Sequence, residues 1–487
     1  MSSVKEMVQF LIGKKIVVPV KLISALAKKE KTDIGIIYSE LQEKSDEEIK
    51  KIIESICQDK GAEQENNGTV SIVVNHTVKE VNKTVQDFVS YFNNRYKTIE
   101  KMLRNRQELS GVTAIKRIAQ KDEREQVAVI GIVKKSEETK NGNLIFTLED
   151  ATGEIKILIS KEKKELFGSA KSVVLDEVIG VVGVSGKGII FGEKIIWPDI
   201  PVYNELKKSP VEEYALFLSD IHVGSKQFLA ASFDKFIKWI NGELGDEKQK
   251  EIVKKVKYIF IVGDVVDGVG IYPGQEYDLE ILDIYEQYKI CAALLDKIPK
   301  HMKIIISPGN HDAMRLAEPQ LPFYEDIAKP LYDLTNAIIV SNPSIVNVGK
   351  TEGFPGINVL MYHGYSFDYY IANVDEIRNN GGYDRADLVM RFLLQRRHLA
   401  PTHASCLYVP FADDDPMVIG KIPDIFATGH LHKTSVSSYR NITLICGSCW
   451  QAKTAFQEKM GHNPEPARVP LVNLQTREVK ILRFGDE

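Results

Sequence analysis

The sequence predicts a multidomain α+β chain with an N-terminal helical module, an OB-type β-barrel, and a large C-terminal domain alternating strands with helices. Three observations predict it. At 487 residues the chain is too long for one hydrophobic core, so two to four domains are expected. Residues 125–196 show period-two apolar patterning punctuated by Gly, whereas residues beyond 212 alternate short apolar runs with helical periodicity. Five of those later runs each end in a short word built from Asp, Asn, Gly and His.

In chain order, residues 1–60 read as a helical interaction module. Ser45-Asp-Glu-Glu48 forms a capping box, and Ile49, Ile52, Ile53 and Ile56 keep helical spacing. Residues 61–120 read as a linker and then a connecting helical, basic segment. The composition turns to Gln, Glu, Asn and Gly from Asp59 to about Ser71. Arg95, Lys97, Lys101, Arg104, Arg106, Lys116 and Arg117 then recur in the manner of a solvated helix face. Gln86-Asp-Phe-Val-Ser-Tyr-Phe92 approximates a sliding-clamp box whose aromatic pair is displaced by one residue, so a sliding clamp is a minor candidate partner.

The barrel is expected over residues 121–200. Leu144, Phe146 and Leu148 alternate, Asp150-Ala-Thr-Gly153 turns the chain, and Ile155, Ile157 and Ile159 continue the pattern. Val178–Val184 and Ile189–Ile196 supply further strands, giving about five in all, the number of an OB-type barrel. Such barrels bind single-stranded nucleic acid through aromatics and cations. Few aromatics stand in this segment, so a scaffolding barrel is an equal expectation. Trp197-Pro-Asp-Ile-Pro201 halts the strand pattern, and residues 212–487 follow as one large domain.

Composition narrows the function class. The chain is 44% hydrophobic and 27% charged, ordinary for a globular protein. A net charge of −4 excludes a global attraction to nucleic acid, so any such binding rests on a local patch or a partner. Five Cys without regular spacing point to a reducing compartment, and the lone Cys446-x-x-Cys449 is set aside as a zinc site. No apolar run approaches the ~20 residues needed to span a bilayer. Val8–Ile12 is too short for a signal segment, so a cytoplasmic protein is expected.

The five words are Ser219-Asp220-Ile-His222, Gly263-Asp264-Val-Val-Asp267, Gly309-Asn310-His311-Asp312, His363-Gly364 and Gly429-His430-Leu-His432. The runs preceding them read as strands: Tyr214–Leu218, Val256–Val262, Met302–Ser307, Ile357–Tyr362 and Asp424–Thr428. Sheets of this kind collect ligands at strand ends, so five such ends imply one shared site. Singly, each residue is an ordinary turn or cap residue; together and in this order they form a ligand set. Phosphodiester hydrolysis near neutral pH needs a hydroxide nucleophile and positive charge against the phosphoryl oxygens, which two divalent cations supply. Asp264 is the expected bridging ligand, since it follows a strand and a turn-permitting Gly. Asp220, His222 and His432 would complete one ion, and Asn310, His363 and His430 the other. The mixed nitrogen and oxygen set suits manganese best, with magnesium, iron or zinc compatible. His311 is the expected proton donor to the leaving oxygen, its tautomer held by Asp312 or Asp267. His76, His301, His398, His403 and His462 carry no such pattern and are expected to be ordinary residues.

Taken together, these words resemble the calcineurin-like metallophosphoesterase superfamily over residues 212–455. That resemblance implies a sandwich of two sheets flanked by helices. Wider words narrow it: Ser219-Asp-Ile-His-Val-Gly-Ser225, Gly263–Gly274, Pro308–Arg315, Arg396–Pro401, Pro423–Phe426 and Trp450-Gln451 are similar to small subunits of archaeal family D DNA polymerases. The resemblance implies a proofreading 3′-to-5′ exonuclease acting on primer–template or single-stranded DNA within a complex with a large polymerising subunit. A stand-alone repair nuclease and a non-catalytic scaffold subunit are the alternatives. Related eukaryotic B-subunits have eroded ligands, whereas every ligand position is filled here, so activity is expected. Thr402-His-Ala-Ser-Cys406 departs from the family's Gly-bearing loop, which puts a substrate contact there in doubt. Arg315, Arg396 and Arg397 are candidate contacts to the DNA backbone.

Overall fold

Tyr-Ala-Leu-Phe-Leu at 214–218 and Val-Lys-Tyr-Ile-Phe-Ile-Val at 256–262 are near-continuous apolar runs, the signature of parallel strands covered on both faces. They form the centre of one of two six-stranded sheets. The computed structural model describes residue 14 and residues 70–77, 83–120, 123–411, 413–459 and 461–485. The expected helical module of residues 1–60 therefore lies outside the described residues, Lys14 apart, as do residues 61–69 of the expected linker.

The strands run β1 (Val70–Val74), β2 (Gln126–Glu138), β3 (Leu144–Asp150), β4 (Gly153–Ile159), β5 (Val178–Gly186) and β6 (Ile189–Ile196). They continue with β7 (Tyr214–Leu218), β8 (Val256–Val262), β9 (Lys303–Ser307), β10 (Ala337–Ile339), β11 (Ser344–Val348) and β12 (Ile357–Met361). The last are β13 (Ile425–Thr428), β14 (Ser435–Tyr439), β15 (Ile442–Cys446), β16 (Arg468–Asn473) and β17 (Val479–Arg483). One sheet has the order β10-β9-β8-β7-β16-β17 and the other β1-β11-β12-β13-β15-β14, while β2-β3-β4-β6-β5 close into a barrel.

Period-two alternation lets each strand serve two cores. Ala215 and Phe217, with Tyr258, Phe260 and Val262, join Val359, Met361, Ile425 and Ile445 in a core between the sheets. Leu216, Leu218, Ile259 and Ile261 point the other way, onto Phe233, Phe236 and Ile240 of the Ala230–Ile240 helix. On the far side of the second sheet, Leu360, Phe426 and Leu444 meet Tyr370, Phe392 and Leu393 from the Phe367–Asn373 and Ala386–Arg396 helices. The molecule is thus a mixed α+β protein of two facing sheets, helices on their outer faces, and a small barrel. Among the described residues no helix is long and apolar enough to cross a membrane.

The barrel interior is filled by Val129, Val133, Phe146, Leu148, Ile155, Ile157, Ile179 and Val181. Its β3–β4 turn closes because Asp150 Oδ1 accepts the Thr152 and Gly153 amides at 2.7 and 3.1 Å.

Two expectations change here. The stretch assigned to the linker ends in β1, which pairs antiparallel with β11, Val70 facing Val348. The basic segment is not simply a solvated face, because Arg95 on the Val85–Leu103 helix is fully buried. Its guanidinium meets Asp415 at 2.7 Å and donates to the Pro401 carbonyl at 2.6 Å. The clamp-like word lies on the same helix, with Tyr91 buried and packed on Tyr408 and Phe92 half-buried.

Candidate metal centre and active site

β7, β8 and β9 are mutually parallel, as are β12 and β13, so their C-terminal ends carry the five words to one edge of the two-sheet core. The loops turn sharply there. Asp220, His222, Asp264, His430 and His432 all have positive φ, between 50° and 69°, a region that side-chain-bearing residues rarely occupy. Such strain persists where the surroundings over-determine it and marks functional sites. Gly309 is required as well, because a Cβ there would collide with the Asp264 carboxylate.

All seven expected ligands come together, in two overlapping groups. In the first, the His222 and His432 Nε2 atoms lie 3.0 Å apart and His432 Nε2 is 3.4 Å from Asp220 Oδ1. In the second, His363 Nε2 is 3.2 Å from Asp264 Oδ2 and 3.0 Å from Asn310 Oδ1, and His430 Nδ1 is 3.1 Å from that same amide oxygen. Asp264 belongs to both, its Oδ2 also lying 4.0 Å from His222 Nε2. Ligand atoms ~2.1 Å from a common cation stand ~3.0–3.4 Å from one another, so these spacings fit two coordination spheres sharing Asp264. Two facing imidazole Nε2 atoms cannot both be satisfied by each other without a proton or cation between them.

Electrostatics points the same way. Burial pushes Asp264 up, but the imidazoles of His363, His311 and His222 outweigh it and hold the carboxyl well below its usual range. Burial disfavours a charged His363, yet the Asp264 carboxylate raises it to about 10. The site is built to hold carboxylates ionised beside positive charge.

Neighbouring side chains aim the ligands. His222 Nδ1 sits 2.9 Å from Asp267 Oδ1, His363 Nδ1 lies 2.9 Å from the Val262 carbonyl, and His432 Nδ1 is 2.9 Å from the Gln457 amide. Gln451 and Gln275 brace Asp267 from the other side at 3.0 and 3.3 Å. Asp267 and Asp312 have different partners. His311 Nδ1 lies 2.9 Å from the backbone carbonyl of Asp267 and 4.0 Å from its carboxylate, which also orients His222. Asp312 accepts the Gly309 and Val266 amides at 2.8 and 3.3 Å, so it ties two ligand loops together rather than touching His311.

Three further residues were not foreseen. Asp368 Oδ2 lies 2.8 Å from His430 Nε2 and so orients that ring. Tyr383 and His462 line the ~240 Å³ cavity that opens over the cluster. No local motif marks them; only the fold brings them in.

The arginines go elsewhere. Arg396 is buried, 2.9 Å from Glu177 and 2.6 Å from the Ser172 carbonyl, both on the barrel. Arg397 is buried against the Ile419 and Gly420 carbonyls at 2.7 and 3.0 Å. Neither presents its charge to DNA, because a guanidinium with its donors filled inside the protein is a packing element. Arg315 is half-buried and donates to the Pro319 carbonyl at 2.6 Å. The 402–406 loop also meets the barrel: the Thr402 hydroxyl and His403 amide bond Leu175 and Asp176 at 3.1 and 2.9 Å. Cys446 and Cys449 are buried free thiols.

The family model for the B subunits of DNA polymerases alpha and epsilon matches residues 215–437, which span all five ligand words. The segment that carries the site is thus similar to the B subunits of these DNA polymerases. The chain is 40% identical over 419 residues, 85% of its length, to the DNA polymerase II small subunit of Pyrococcus furiosus, covering 66% of that protein. It is 38% identical over 401 residues to that of Methanothermobacter thermautotrophicus, covering 82% of this chain and 80% of the relative. For Archaeoglobus fulgidus the figures are 37% over 402 residues, covering 82% and 78%. The chain belongs to the family of archaeal DNA polymerase II small subunits, those of the family D polymerases. It spans 64–66% of the length of the three Pyrococcus relatives it matches.

Proposed function

We propose that this chain is the 3′-to-5′ exonuclease of a two-subunit DNA polymerase, a calcineurin-like metallophosphoesterase carrying an OB-type barrel. The observation that carries this reading is the convergence of seven ligand-type side chains from five strand ends, with neighbouring ligand atoms 3.0–4.0 Å apart. Asp220, His222 and His432 would hold one divalent cation, Asn310, His363 and His430 the second, with Asp264 shared; manganese suits this donor set best. When bound, such a pair supplies positive charge for the phosphoryl oxygens and makes water acidic enough to attack near neutral pH.

The chain's own residues do the rest. Asp267 and Asp368 orient His222 and His430, and Asp312 locks the Gly309 and Val266 loops in register. His311, its Nδ1 fixed on the Asp267 carbonyl, presents Nε2 to the cavity as the atom that passes a proton to the leaving 3′ oxygen. With Arg396 and Arg397 internal and a net charge of −4, the chain draws its DNA affinity from the large polymerising subunit.

The test is a 5′-labelled primer–template with a 3′ mismatch, incubated with manganese and the chain, with and without the large subunit. A single-nucleotide ladder from the 3′ end that Asp264→Ala or His430→Ala abolishes supports the reading. An uncut primer under both conditions sinks it and leaves the scaffold role. His311→Ala should keep metal binding and lose turnover; loss of metal would refute its proton-transfer role.

A further inference from the structure

The residues lining the cavity over the cluster include two chemically different groups. One group comes from the ligand set; the other includes the rings of Tyr383, His462, Tyr365 and Tyr272. Tyr383 and His462 come from separate segments, the Gly382–Asp384 turn and the loop after the Ala455–Lys459 helix, yet their rings lie 4.2 Å apart, tilted by 40°. Both are half-buried, so part of this ring pair stays open to the cavity. Tyr365 approaches His430 at 5.9 Å and Tyr272 approaches His311 at 6.5 Å, which places an aromatic ring beside each side of the cluster. The Asp368 carboxylate that orients His430 also pushes the Tyr383 hydroxyl up from its ordinary value, behind burial as the larger cause, so the ring pair and the ligand set share one neighbour.

We propose that the Tyr383–His462 pair is a stacking platform for the 3′-terminal nucleobase and makes the site selective for unpaired ends. This rests on the exonuclease reading above. Aromatic platforms receive any nucleobase, because every base offers a π face, so the site tolerates any terminal base. A cavity of about 150 Å³ holds one benzene ring, so ~240 Å³ has room for a single base against the platform. A base that stacks there has left its own helix, which is easiest at a mismatch. Discrimination between correct and incorrect ends would thus arise partly within this chain.

The test uses the full chain with the large subunit and a strand ending in 2-aminopurine, joined through a methylphosphonate linkage that resists hydrolysis. Stacking should quench its fluorescence on binding. Tyr383→Ala and His462→Ala should each restore the fluorescence and weaken binding about tenfold, while Tyr383→Phe, which keeps the ring but not the hydroxyl, should retain the quenching. In single-turnover cleavage, Tyr383→Ala should lower kcat/KM about tenfold on an unpaired 3′ end, and by much less on the same strand ending in an abasic residue. Equal losses on both substrates, or unquenched 2-aminopurine in the unsubstituted chain, would overturn the platform. If the unsubstituted complex cuts no 3′ end, the exonuclease reading fails while the quenching still decides the platform.

Discussion

Two of the buried polar clusters among the described residues use similar residues to opposite ends. At the junction of barrel, Val85–Leu103 helix and large domain, Arg95 meets Asp415, Arg396 meets Glu177, and His398 sits 2.8 Å from Asp415. Asp415 and Glu177 there each face a guanidinium that the chain itself provides. At the strand ends, Asp220 and Asp264 meet imidazoles and the His430 and His311 backbone amides, and the His222 and His432 Nε2 atoms face each other. The backbone differs in the same sense. Five ligand positions adopt positive φ, whereas at the junction Asp176, Asp199 and Arg397 do. A self-neutralised cluster holds domains together, while a cluster needing outside charge is a binding site.

That contrast is broken most forcefully at Asp264. Asp264→Asn should lower 3′-end hydrolysis by about 10³-fold or more, read as single-turnover rate, while moving the urea midpoint less than a junction substitution does. Arg95→Met should do the reverse. Stranding Asp415 in the interior costs about 3–5 kcal/mol, measured by urea unfolding, and adding Asp415→Leu should recover much of that loss. Third in size is Asp368→Asn, which leaves the ligands intact and frees the His430 ring. It should weaken manganese binding or turnover by about 10–100-fold, read by calorimetric titration alongside the cleavage rate.

The smallest expected effect is on pH dependence. Burial and the nearby Arg95 charge lower His398 to about 4. The unfolded chain, with an ordinary imidazole near 6.5, then binds the extra proton first as pH falls. Stability from this group is therefore full above pH ~6.5 and declines toward about 4. His398→Gln should flatten that acid limb in urea midpoints measured between those pH values.

The same contrast explains what could be read in the sequence. The parallel strands were legible because burial on both faces writes a continuous apolar run; β7 and β8 fall where those runs stand. The ligands were legible because each follows such a run within a few residues. β1 was not, since it is a short edge strand whose partner lies far along the chain, Val70 opposite Val348. Arg95, Arg396 and Arg397 read as surface cations because their partners, Asp415, Glu177 and the Ile419 carbonyl, are marked by nothing nearby. Asp368, Tyr383 and His462 were missed for the same reason, reaching the cavity by long-range packing alone.

Manganese titration of the full chain, with stoichiometry as the readout, tests the division most directly. The chain should bind two equivalents, Arg95→Met should still bind two, and Asp264→Asn, lacking the shared ligand, should bind one or none. Two equivalents retained in Asp264→Asn, or no saturable binding in the unsubstituted chain, would contradict the account.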